Sequence, residues 1–228
     1  MYDTGKFEDI IKYCNSLLEK DPKDLTGLQN SATAYLHLGK HEQALEICNT
    51  VLEMHDSDLY ALKNKVYALE NLRRYEEVLE CCNKLLSIDA KDTWSLNSMA
   101  LALNELGRIE DAISYYDKVL ELEPTNVTAL MNKALSLSHL GKHDEAIIYY
   151  DKVQQIDSTI KGASEAKSNS YKSLGKEDEA FLAAQGVLNQ DMQKIISDAK
   201  ENKCTVFHQY CLNEYDELER TKSENKTK

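Results

Sequence analysis

The chain has 228 residues, of which 29% are charged and 42% apolar, and a formal net charge of −12. That acidity argues against nucleic acid, whose phosphates need a basic face, and against an anionic membrane surface; it suits neutral or basic protein partners. No apolar run approaches the roughly 20 residues of a membrane span, and the opening MYDTGKFEDI lacks the basic and apolar regions of a secretory signal, so a cytoplasmic protein is expected.

A period of 34 residues runs along the chain: Gly39, Gly107, Gly141 and Gly175 are spaced by 34 or twice 34, with Gly5 one period earlier and Arg73 in the remaining slot. Leu38, Leu72, Leu106, Leu140 and Leu174 precede that slot, and Ala44, Val78, Ala112, Ala146 and Ala180 follow it five residues on. A fixed period of this length marks an array of helix–turn–helix units. Residues 1–24 carry only the turn and second helix of one unit. Its face at Ile10, Ile11, Cys14, Leu17 and Leu18 is expected to lie bare, and to offer a route to pairing with another copy.

Five full units follow: 25–58, 59–92, 93–126, 127–160 and 161–194. In 93–126 the first helix places Leu96, Met99, Ala100 and Leu103 on one face. Gly107 ends it. The second helix buries Ala112, Ile113, Tyr116, Val119 and Leu120, and Pro124 stops it. Small residues recur where helices approach closely: Ala32, Ala100, Ala134 and Ser168 in the first helix, with Val66 as the variant. The unit 161–194 has Ser164, Lys167 and Ala184 where bulk is usual, which predicts loose packing. Residues 195–220 are expected to form capping helices, docked through Ile195 and Ile196. Within them a 206–218 helix carries Phe207, Cys211, Tyr215 and Leu218 on one stripe. That stripe has three possible roles: capping the array, folding into its groove, or pairing with another copy. Residues 221–228 read as a polar disordered tail.

Cys14, Cys48 and Cys82 share one slot, which Tyr116 and Tyr150 fill later. Equivalent residues on neighbouring units lie about 10 Å apart, too far for a disulfide. All six cysteines therefore read as reduced core residues. Cys204, His208 and Cys211 lack the paired spacing of a zinc site. There is no GxxxxGK[ST] or GxGxxG loop for a phosphate. No enzyme activity, cofactor or metal is expected.

Together these residues resemble the tetratricopeptide repeat. Ala100, Gly107, Ala112, Tyr116 and Pro124 match its pattern in 93–126, as do Ala134, Gly141, Ala146 and Tyr150 in 127–160 and Ala32, Tyr35, Gly39 and Ala44 in 25–58. The resemblance covers roughly residues 1–194. It implies an all-α, right-handed superhelical solenoid whose concave face is lined by the first helix of each unit. Carrying that lining over places Tyr60, Lys63, Tyr67 and Asn71 on the second full unit. Trp94, Asn97, Leu101 and Asn104 fall on the third, and Met131 and Leu135 on the fourth. The carboxylate clamp of chaperone-binding members is missing, because Gln29, Thr33, Trp94 and Ser98 stand at its positions. The implied function is a non-enzymatic scaffold that holds a peptide or helix of a partner protein in the groove. The alternative is a self-assembling or substrate-docking arm of a larger enzyme or complex, with its C-terminal helix regulating the groove.

Overall fold

The computed structural model of the chain describes residues 4–226, with side chains over 5–217. Among these residues there are thirteen helices and no strand. They fall into two compact units, 1–124 and 125–228.

The first unit holds α1 (Thr4–Leu18), α2 (Leu25–His37), α3 (His41–Met54), α4 (Leu59–Asn71), α5 (Tyr75–Ile88), α6 (Thr93–Glu105) and α7 (Ile109–Leu122). Each packs on the next, and α2 also touches α4. Short-range chemistry sets the helix starts. Asp24, Asp58 and Asp92 cap α2, α4 and α6 on the same period, each accepting from the N–H three residues on: Gly27 at 2.5 Å, Ala61 at 2.7 Å and Ser95 at 3.3 Å. Such a cap contributes about 1 kcal/mol.

The helix ends are equally regular. After α6, Gly107 N–H donates to Asn104 O and Arg108 N–H to Leu103 O, at 3.0 and 2.9 Å. This closure needs one left-handed residue, and Gly107 supplies it at φ +77°. After α4 the same two bonds form around Arg73, which takes φ +57° without being glycine.

The small-residue slots do what their spacing predicts. Ala32, Val66 and Ala100 on first helices and Ala44, Val78 and Ala112 on second helices are all buried. Cys14, Cys48, Cys82 and Tyr116 fill the neighbouring slot and are buried too. Burial pushes the Cys48 thiol up to about 12. The face of α1 is less bare than expected. Cys14 is buried, Leu17 and Leu18 are half-buried, and Leu18 packs beside Leu28, Val51 and Ala61. Of its large apolar residues among those described, Ile10 and Tyr13 remain exposed.

The second unit holds α8 (Val127–His139), α9 (His143–Ile156), α10 (Lys161–Ser173), α11 (Glu177–Ala184), α12 (Asn189–Glu201) and α13 (Val206–Lys226). Asn126 caps α8 through Ala129 N–H at 2.9 Å. The repeat frame fails at its end. The second helix of 161–194 stops at Ala184, because Gly186 takes φ +82° and Val187 N–H closes onto Leu182 O. The capping helix α12 thus starts at Asn189 instead of at 195.

The expected loose packing of 161–194 is also corrected. Lys167 is fully buried and donates to Asp151 Oδ1 at 2.6 Å, Gln154 Oε1 at 3.1 Å and Val187 O at 2.9 Å. Gln154 in turn donates to Ser164 at 2.8 Å. A polar network takes the place of apolar bulk.

Ile195 and Ile196 are buried as predicted, in a cluster with Ala180, Leu182, Met192 and Val206. The stripe on α13 is not the docking face. Val206 and Gln209 are buried and Tyr210 is half-buried, whereas Phe207, Cys211 and Tyr215 are exposed. Leu218's side chain lies outside the described residues. The core reading of the cysteines fails for exposed Cys211, whereas half-buried Cys204 packs against the cluster of Ile195 and Ile196. The packing partners of α13 are α11 and α12, and Tyr210, Asn213 and Glu214 on it line a cleft with Leu188, Asp191 and Lys194. The helix also continues through residues 221–226, where a disordered tail was expected. Its sequence from 206 to 226 has neither glycine nor proline to end it. Residues 227 and 228 lie outside the described residues.

Candidate functional site

On α4, Tyr60, Lys63 and Tyr67 stand at i, i+3 and i+7, the spacing of one helical face. Lys63 links that face to α6: its Nζ lies 5.3 Å from the centroid of the Trp94 ring and 3.1 Å from Asp92 Oδ1. The three aromatic side chains are accessible, with Tyr60 45%, Tyr67 48% and Trp94 37% exposed. Large aromatics left half in water on one face are the residues from which binding surfaces draw their anchors.

The polar residues around them are mostly committed to local partners. Tyr60's hydroxyl shares a 2.5 Å hydrogen bond with Thr33 Oγ1, and Asn64 Nδ2 donates to that oxygen at 3.3 Å. Gln29 Nε2 donates to Asp58 Oδ2 at 3.1 Å. Asn71 Nδ2 turns back to Tyr67 O at 2.8 Å, and Asn97 Nδ2 to Thr93 O at 3.0 Å. Leu101 and Asn104 are half-buried beside them in the register of α6. Tyr67's ring lies 6.4 Å from that of His41 on α3.

Three carboxylates belong to the same helices. Burial pushes Asp92 up, but hydrogen bonds from Ser95 and Lys63 outweigh it and hold the group below its ordinary value. Glu70 goes the other way: burial raises it, and a hydrogen bond from Ser98 only partly offsets this. Burial, with the Glu105 carboxylate beside it, raises the Tyr75 hydroxyl above its ordinary value. Asp58 and Asp92 were invisible to a lining rule that counts only helical positions. Their 34-residue spacing was the signal that could have found them.

In the second unit, Met131 and Leu135 lie half-buried on α8. Met131 Cε approaches to 3.8 Å of where a Cβ on Gly162 would stand. Lys133 on the same helix is buried and donates to Tyr149 OH at 2.6 Å. Ser138 Oγ lies 3.1 Å from Ser170 Oγ and 3.3 Å from Tyr150 OH.

Among the described residues, no group of His, Cys, Asp or Glu side chains is placed to hold a metal ion. No described helix is long and apolar enough to cross a membrane.

A family model described as "Psidin, N-terminal TPR repeats region" matches residues 34–133. Models described as "Tetratricopeptide repeat" match residues 1–66 and 127–160. No curated protein matches the chain. Among solved structures, a tetratricopeptide repeat protein from Parabacteroides merdae is 22% identical, with a TM-score of 0.70 over 79% of this chain and 72% of that one. MamA is 18% identical, with a TM-score of 0.65 over 74% of this chain and 92% of its own. YrrB, described as a TPR protein with an unusual peptide-binding site, is 19% identical, with a TM-score of 0.61 over 83% of this chain and 97% of its own. At these identities the likeness is one of fold: an all-helical tetratricopeptide solenoid.

Proposed function

We propose that this chain, which belongs to the tetratricopeptide repeat family, is a non-enzymatic scaffold that holds a peptide or helix of a partner protein against its first-helix face. In residues 1–124 the contact residues are Tyr60, Lys63, Tyr67, Asn71, Trp94, Asn97, Leu101 and Asn104. In the second unit they are Met131 and Leu135. The observation that carries the reading is the half-exposed trio Tyr60, Tyr67 and Trp94, with Lys63, which lies between the two tyrosines in sequence, set over the Trp94 ring. Rigid aromatics of this kind supply contact area at low entropic cost, and flanking amides set the register of a bound backbone. The peptide-binding site reported for YrrB, on a similar fold, supports the same use here.

The test is selection from a random linear-peptide library on wild type beside the Tyr67→Ala/Trp94→Ala variant. Peptides retained by wild type and lost by the variant, with unchanged helical circular dichroism, support the face as the site. Equal retention moves the site elsewhere.

A second reading, self-assembly, draws on the exposed Ile10 and Tyr13 on α1 and on Phe207, Leu212 and Tyr215 on α13. Sedimentation of wild type beside Tyr13→Lys and Tyr215→Lys variants tests it. A concentration-dependent oligomer abolished by either change supports assembly, and a monomer throughout rejects it.

A further inference from the structure

Gln29 and Lys63 stand one period apart and make the same reach, each to the aspartate that caps the next first helix. At Lys63 the arrangement is complete. The ammonium lies 3.1 Å from Asp92 Oδ1 and 5.3 Å from the Trp94 ring centroid, held between a carboxylate and an indole face. One period earlier the three positions are Gln29, Asp58 and Tyr60. Gln29 Nε2 donates to Asp58 Oδ2 at 3.1 Å, and Asp58 Oδ1 accepts from Ala61 N–H at 2.7 Å. An amide satisfies an oxygen without cancelling its charge. Asp58 enters no ion pair among the described residues. Tyr60 is 45% exposed, its ring anchored by the bond to Thr33 Oγ1, with no described cation over it.

We propose that Asp58 and Tyr60 form a subsite for a lysine or arginine side chain of the bound peptide. That side chain completes at Asp58–Tyr60 what Lys63 completes internally at Asp92–Trp94. The proposal rests on the peptide-binding reading above and names the chemistry of its ligand. Charge complementarity supports it: Glu70 and Glu105 lie on α4 and α6 with Lys63 already paired, and the chain carries a net charge of −12. A cation between a partly desolvated carboxylate and an aromatic face gains from both.

The repeat supplies its own reciprocal test. Gln29→Lys places an internal ammonium at Asp58–Tyr60, and Lys63→Gln empties Asp92–Trp94. Peptides selected on wild type from the random library should carry Lys or Arg at one fixed position. Changing that residue to Gln in a synthetic peptide should weaken binding to wild type about tenfold and leave binding to the Gln29→Lys protein unchanged. Peptides selected on Lys63→Gln should show a second cationic position. Thermal melts of both variants check that they fold. Peptides that depend on Tyr67 and Trp94 but show no cationic position overturn the subsite and leave the groove standing. A cationic preference indifferent to Gln29→Lys also overturns it, because it then reflects only overall acidity. If no peptide depends on Tyr67 and Trp94, the groove reading falls and the subsite with it.

Discussion

Lys167 and Asp151 form an ion pair inside the second unit, with Nζ and Oδ1 2.6 Å apart and side chains 0% and 11% exposed. Asp151 Oδ1 also accepts from Asn189 N–H at 3.0 Å, and Lys167 donates to Val187 O. The pair thus holds both ends of the turn that follows α11 and starts α12. Burial pulls the Lys167 pKa below its ordinary value, although Asp151 works against that shift.

Breaking a buried pair on one side leaves an uncompensated charge. Lys167→Met is expected to cost about 3 kcal/mol or more. Adding Asp151→Leu should recover part of that loss, because the stranded carboxylate goes with it. Urea unfolding followed by circular dichroism measures both. A single-variant loss under about 1 kcal/mol would mean that the pair does not hold the turn.

Most of the helical frame was legible in the sequence, for a plain physical reason. Turn glycines and small contact residues answer to local geometry, and local geometry repeats. The slots of Ala44, Ala112 and Ala146 fell where the period put them. What broke the period was read poorly. Lys167 in an apolar slot looked like a defect, since its partners Asp151 and Gln154 lie on the preceding helix and Val187 lies beyond an early helix end. The stripe on α13 misled in another way. Periodicity finds an apolar face, but which face docks is decided by the neighbours: α11 and α12 cover Val206 and Gln209 and leave Phe207 and Tyr215 exposed. The proposed site stands between these cases. Its positions were carried over from the resemblance to the tetratricopeptide repeat, while the ties of Lys63 to Asp92 and Tyr60 to Thr33 needed three dimensions.

Arg73 holds a left-handed conformation that glycine adopts at the equivalent positions. Arg73→Gly is expected to stabilise the fold by about 1 kcal/mol. The reverse change at Gly107 isolates the backbone effect, since a Cβ there would meet nothing within 4 Å. Gly107→Ala should therefore destabilise by about 1 kcal/mol through conformation alone. Thermal melts compare the two. A destabilised Arg73→Gly would show that the arginine side chain outweighs its backbone strain.

Thiol reactivity should sort by place in the fold. Cys211 is exposed and Cys204 half-buried, while Cys14, Cys48, Cys81 and Cys82 are buried. Burial also raises Cys48 to about 12 and lifts Cys81 and Cys82, which keeps them in the unreactive thiol form at neutral pH. A colorimetric thiol reagent on the native protein is expected to label Cys211 first and Cys204 more slowly. The other four should react only on unfolding. Early labelling of Cys81 or Cys82, located by peptide mass mapping, would show that α5 opens locally.

Glu70 provides the pH test. Burial raises its folded pKa above the ordinary carboxylate value, and its Oε1 has no hydrogen-bond partner. Above its folded pKa the group is ionised in both the folded and unfolded chains, and there the folded state bears the whole cost of burying the charge. As pH falls through the folded pKa the folded chain takes up its proton first, and the cost disappears below the unfolded value of about 4.3. Glu70→Gln, which keeps an acceptor for Ser98, should therefore be more stable than wild type at pH 7 and lose that advantage on acidification to about pH 4. Asp92 acts in the opposite sense. Its pKa is lowered, so the stability it contributes is present above the unfolded value and is lost as pH falls through the folded one. Asp92→Asn should flatten the acid limb of the stability curve where Glu70→Gln steepens it. Denaturant midpoints of the three proteins across this range decide the matter, and parallel curves would mean that neither carboxylate is perturbed by its surroundings.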